Sequence, residues 1–74
     1  MKPQSKHLIL DILYGVDASA KQIEAAMYQA LNFVEFNEEE QTDMDIKQTL
    51  ANLQTMSETI RQVVNLEASK INGT

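Results

Sequence analysis

From about Asp43 to Ile71 the chain repeats at alternating steps of four and three residues: Ile46, Leu50, Leu53, Ser57, Ile60, Val64, Glu67 and Ile71. That spacing places all eight on one stripe of a helix. Met56 and Val63 widen the stripe, and Lys47, Gln48, Gln54, Thr55, Glu58, Arg61 and Gln62 occupy the other sides. At about 1.5 Å per residue such a helix is ~40 Å long. A compact globule made from a chain of this length has a radius of gyration of roughly 11 Å and a diameter near ~30 Å. The helix is therefore longer than the globule, so its end either breaks or overhangs and meets a partner.

The chain has 74 residues, so it forms a single small domain over 1–74 whose own core is thin. Small domains make up that deficit with disulfides, a structural metal or oligomerisation. There is no cysteine and only one histidine, His7, which leaves oligomerisation. One proline and two glycines favour helix throughout, and the fold class expected is all-α. The expected architecture is a three-helix bundle, or a helical hairpin plus a long C-terminal helix, assembled as a homodimer.

Helices are expected near 4–14, 18–36 and 39–70. Pro3 suits a first turn, and Gly15 reads as the stop of the first segment. That segment carries Leu8, Ile9, Leu10, Ile12 and Leu13, so it is apolar almost all round and is expected to lie in an interface. Ser19-Ala-Lys-Gln22 has the form of a capping box for the second segment. Its stripe is Ile23, Ala26, Met27, Ala30, Leu31 and Val34, with Phe33 and Phe36 at the far end. The homodimer interface is expected to be an antiparallel pairing of the third helices helped by the first: Leu53, Ser57, Ile60, Val64, Leu8 and Ile12. Ser57 is small enough to let two helices approach near a two-fold axis.

Six of the 11 acidic residues lie between Glu35 and Asp45: Glu35, Glu38, Glu39, Glu40, Asp43 and Asp45. Acids at a helix start complement its dipole, with Asn37 or Thr42 as the cap. The same cluster is a candidate partner-binding surface. It is not a calcium loop, because Gln48 and Gln54 stand where the loop needs glycine and a bidentate glutamate.

Net charge is −5, and the six lysines and arginines are dispersed, which argues against direct nucleic-acid binding and against an anionic membrane surface. Lys2 and Lys6 followed by an apolar run and Ala18-Ser19-Ala20 resemble a signal peptide, but Asp11 interrupts the run. No stretch reaches the ~18 apolar residues of a membrane span. A cytoplasmic location is expected. No nucleophile–base set, metal-ligand spacing or cofactor motif is present, so the chain is read as no enzyme, without cofactor.

The expected function is a small acidic protein–protein interaction module, an adaptor, regulator or inhibitor of one larger protein, acting as a homodimer. The alternative is an acidic DNA mimic that inhibits a nucleic-acid enzyme, of the kind phages and mobile elements encode. A helix-turn-helix DNA-binding regulator, suggested by the Gly15 turn before ASAKQIEAAM, ranks below both.

Overall fold

The computed structural model describes residues 1–73. The chain forms two helices, α1 (Pro3–Phe33) and α2 (Gln41–Asn72), joined by a short loop over 34–40. No strand occurs among the described residues, and the fold is all-α. The helices lie side by side and antiparallel in a rod of 56 × 14 × 14 Å. Its radius of gyration is 16.8 Å, so the compact globule against which the long helix was measured is not the shape adopted. Both helices run the length of the molecule, and neither overhangs a globular body.

The three-helix expectation is corrected: the segments expected at 4–14 and 18–36 are one helix. Gly15 sits inside α1 with no left-handed conformation. A glycine in a helix interior costs about 0.5–1 kcal/mol relative to alanine. Breaking there would cost more, because the line Leu10, Leu13, Asp17, Ala20 that meets α2 passes straight through the position. Ser19 is accordingly mid-helix and caps nothing. Pro3 opens α1 as expected. The turn that a helix-turn-helix requires near Gly15 is not formed.

The loop also differs from expectation. Glu40 is the N-cap of α2, without a side-chain cap, and neither Asn37 nor Thr42 takes that role. Asn37 organises the connection instead. Its side-chain oxygen accepts from the Glu39 N–H at 3.0 Å, and its backbone carbonyl accepts from the Glu40 N–H at 3.0 Å. Its own N–H donates to Asp43 Oδ2 at 2.8 Å, tying the loop back to the first turn of α2. Such Asx geometry gives the backbone a turn without glycine.

The helices meet along a regular seam. On α1 it comprises Lys6, Leu10, Leu13, Asp17, Ala20, Glu24, Met27 and Leu31, at strict steps of four and three, and every member is buried or half-buried. On α2 it comprises Lys47, Leu50, Gln54, Ser57, Arg61, Val64, Ala68 and Ile71, with the same steps and the same protection. This is the repeat of an antiparallel coiled coil. Arg61 fixes the register through Asp17 and Glu24, and Asn72 donates to the Tyr14 hydroxyl at 3.2 Å. Ala20, three residues on from Asp17, thus comes level with Ser57, four residues back from Arg61. Both are small and buried, so the helices approach closely there.

Three outcomes follow for substitutions in α1 and along the seam. A Cβ built at Gly15 meets nothing within 4 Å. Gly15→Ala is therefore expected to stabilise the fold by about 0.5–1 kcal/mol in urea unfolding; a helix stop at Gly15 would give the opposite sign. Ser57→Ala is expected to be nearly neutral, since the hydroxyl bonds only the Leu53 carbonyl of its own helix. Ser57→Leu is expected to cost ~1–3 kcal/mol in the same measurement, by forcing the helices apart.

Candidate interaction surface

The seam buries little apolar surface. Only Leu10, Ala20, Val64 and Ala68 form a buried apolar core among the described residues, and no large side chain is completely enclosed. Much of the rest of the seam is polar: Lys6, Asp17, Glu24, Lys47, Gln54 and Arg61. Arg61 Nε lies 3.3 Å from Asp17 Oδ1 and its Nη1 3.2 Å from Glu24 Oε2, with all three side chains half-buried. The hydrogen bond to Glu24, then that to Asp17, raises the guanidinium pKa above its ordinary value. These contacts select one register more than they supply stability, because a partly solvated pair is screened by water and salt.

A second set of larger aliphatic side chains lies outside the seam. Ile9, Ile12, Val16, Ser19, Ile23, Ala26 and Ala30 each stand one residue before a seam position of α1, and Phe33 continues the series. Ile46, Thr49, Leu53, Met56, Ile60 and Val63 each stand one residue before a seam position of α2, and Leu66 borders them. One residue is ~100° of helix rotation. Each helix therefore carries a second heptad stripe, turned the same way from the first. Because the helices are antiparallel, equal rotations bring both stripes to one side of the hairpin. That side is a two-helix-wide apolar face in which Ile12 is 56 %, Met56 58 % and Phe33 78 % exposed.

The opposite side consists of residues one step after the seam. It carries Asp11, Lys21, Asn32, Gln48, Thr55, Glu58, Gln62, Asn65 and Ser69, with Tyr14 and Tyr28 among them. Asn65 bridges the helices there, donating to Asp17 Oδ1 at 3.3 Å and to the Arg61 carbonyl at 2.7 Å. Polar on one side and apolar on the other, the rod is amphipathic as a whole.

The residues expected at a homodimer interface divide between these surfaces. Leu53, Ile60 and Ile12 lie on the apolar face, and Leu8 is exposed beside the first turns of that stripe. Ser57 and Val64 do not reach it: they are buried against α1 of the same chain, which corrects their assignment to an intermolecular contact. One periodic stripe had been read where α2 carries two overlapping ones, and Leu50, Ser57, Val64 and Ile71 belong to the seam. Val16, Ile23 and Phe33 also stand on the face, outside the residues expected there. Their signal was the step pattern continuing unbroken through Gly15.

The acidic cluster gathers at the loop end of the rod. Asp43 is engaged by the Asn37 N–H, and Asp45 accepts from Gln41 Nε2 at 2.7 Å. Glu35, Glu38, Glu39 and Glu40 are exposed in the loop. Phe36 is half-buried with the Lys47 ammonium 5.9 Å from its ring centre. Nearby, Leu31, Met44, Lys47, Gln48 and Ala51 line a shallow hollow of about 200 Å³. That is less than a small-molecule site normally encloses. Among the described residues no group of histidine, aspartate and glutamate side chains is arranged to hold a metal ion, and no helix is long and apolar enough to cross a membrane.

No family model matches the chain, and it matches no curated protein and no solved structure.

Neutralising Glu38, Glu39 and Glu40 together to glutamine is expected to change stability by less than ~1 kcal/mol in thermal unfolding at moderate salt, because charges at an exposed helix start are weak and screened.

Proposed function

We propose that this protein is a non-enzymatic interaction module whose working element is the apolar face shared by α1 and α2. The observation that carries the reading is the imbalance between the two heptad stripes. The seam inside the chain mixes seven larger apolar side chains with six charged or amide side chains and three small residues, whereas the stripe turned outward contains Ile12, Val16, Ile23, Leu53, Met56, Ile60 and Val63. A continuous apolar surface spanning two helices exceeds the scattered exposed aliphatics of ordinary monomers and marks a binding surface. Covering it adds to a core that is thin by itself. The acidic loop end lies outside this face and remains available to a larger protein, as an adaptor, regulator or inhibitor requires.

Oxidative footprinting tests the face directly. Met56 on the apolar face and Tyr28 on the polar side are both 58 % exposed in the isolated hairpin. With each rate normalised to the unfolded chain, Met56 is expected to be protected at least several-fold more than Tyr28 inside the cells that make the protein. Equal reactivity of the two would remove the apolar face as the working surface. A partner that is lost when Glu38, Glu39 and Glu40 become glutamine, yet is kept after Ile60→Asp, would favour the acidic DNA-mimic reading instead.

A further inference from the structure

We propose that the apolar face is covered by a second copy of this chain, laid face to face with its loop at the opposite end, so that two hairpins form a four-helix bundle. The inference rests on the reading of that face as the working surface and names its occupant. Four features of the chain support it.

The first is angular. In a four-helix bundle each helix touches two neighbours about 90° apart around its axis. Here each helix has one stripe already packed on its hairpin partner and a second stripe ~100° away, always turned in the same sense. A ligand or an unrelated groove places no such demand on both helices at once. A second identical hairpin does.

The second is the symmetry of the spacing. Like any repeat of alternating threes and fours, the second stripe of α1 reads the same in both directions around centres ~3.5 residues apart. About residue 21, the middle of the stripe, an antiparallel copy sets Ile12 opposite Ala30, Val16 opposite Ala26 and Ser19 opposite Ile23. Most of these pairs join a larger side chain to a small one. The stripe of α2 has the same property about residue 58, setting Leu53 opposite Val63 and Met56 opposite Ile60, with Thr49 opposite Glu67 and Ile46 opposite Lys70 at its polar end. A single two-fold axis must serve both helices, so the two centres must be level. Through the Asp17–Arg61 contact they agree to within one residue: four on from Asp17 is residue 21, and four back from Arg61 is residue 57. Ser57 thus lies at the level of the axis while packing inside its own chain.

The third is charge. The loop end holds Glu35, Glu38, Glu39, Glu40, Asp43 and Asp45, and the other end holds Lys2, Lys6 and Lys70. Hairpins with loops together would bring the six acids of each copy to one end. With loops opposed, Lys2 and Lys6 come level with residues 40 and 36 of the second copy, and Lys70 with its Ile46, beside Asp45. Opposite charges then meet at both ends.

The fourth is area. The apolar stripe covers 9–33 of α1 and 46–66 of α2, ~36 Å and ~30 Å at about 1.5 Å per residue, and ends where Glu67 and Lys70 take its positions. At ~10 Å width per helix the face projects ~660 Å² per chain. Burial by a pair of chains therefore totals roughly 1,300 Å², within the range for stable complexes.

Light scattering on the wild-type chain at micromolar concentration is expected to give twice the 8.4 kDa chain mass. A mass of one chain overturns the proposal; if Met56 were still protected in cells, the reading of the face would survive without it. Ile60→Asp is expected to weaken association at least 100-fold, and a variant that stays dimeric overturns the assignment of the face. Orientation is tested in the natively cysteine-free chain by V16C/A26C with a short bifunctional thiol reagent. The two positions are ~15 Å apart along one helix, so they do not link within a chain. With loops opposed, Cys at 16 of one copy meets Cys at 26 of the other, and a covalent dimer is expected on a denaturing gel. V16C alone is expected to give little of it. A dimeric V16C/A26C that fails to cross-link overturns the opposed arrangement.

Discussion

Two helices in contact bury one stripe each, and this chain gives each of its helices two. That single geometric limit governs the rest of the molecule. Seam positions have to satisfy one neighbour, and the positions one residue earlier are left facing outward. The seam that is used holds Arg61 between Asp17 and Glu24, and Ala20 level with Ser57. Small residues bring the backbones close, and the ion pairs fix which residues come level. Neither supplies much apolar burial. The stripe richer in isoleucine, leucine and valine is the one left over.

Register and cohesion are thus divided between different parts of the structure. A seam made only of leucine and isoleucine would slide in steps of seven residues with little penalty, since every heptad resembles the next. An arginine that must meet two carboxylates, and an Asn72 that reaches the Tyr14 hydroxyl, have one solution. The loop reinforces it, because Asn37 and Asp43 tie the end of α1 to the start of α2 without glycine or proline. With register fixed inside the chain, the centres of the two outer stripes come level. A face whose two halves were out of step could not be matched by a two-fold copy. In this way the polar contacts within one hairpin set how the two halves of the apolar face line up.

Charge follows the same division. The acids collect where the loop and the start of α2 favour them through backbone N–H groups and the helix dipole, and three of the five lysines lie toward the termini. The rod is therefore electrically polar along its length as well as apolar on one side. Its surface distinguishes end from end and face from face.

The helical character was fully legible from the residues, because step patterns of three and four are a local property of the sequence. So was the stripe through Leu53, Ile60 and Val64, and so was the shortage of internal core. Gly15 was misread because local signals rank a glycine after an apolar run as a stop. Only the demand of a seam continuing on both sides keeps it helical. The compact outline assumed for a chain of this length failed for a related reason: two uninterrupted helices cannot fold back further, so the molecule is a rod. Most of all, sequence could not divide the broad stripe of α2 into the half that packs inside the chain, Ser57 and Val64, and the half that remains outside, Leu53 and Ile60. Val64, Leu53 and Ile60 are alike in hydrophobicity, and all four positions fall within ~60° of helix rotation. Which of them is inner depends on where α1 lies, and that was decided only when Asp17 and Glu24 met Arg61 across the hairpin.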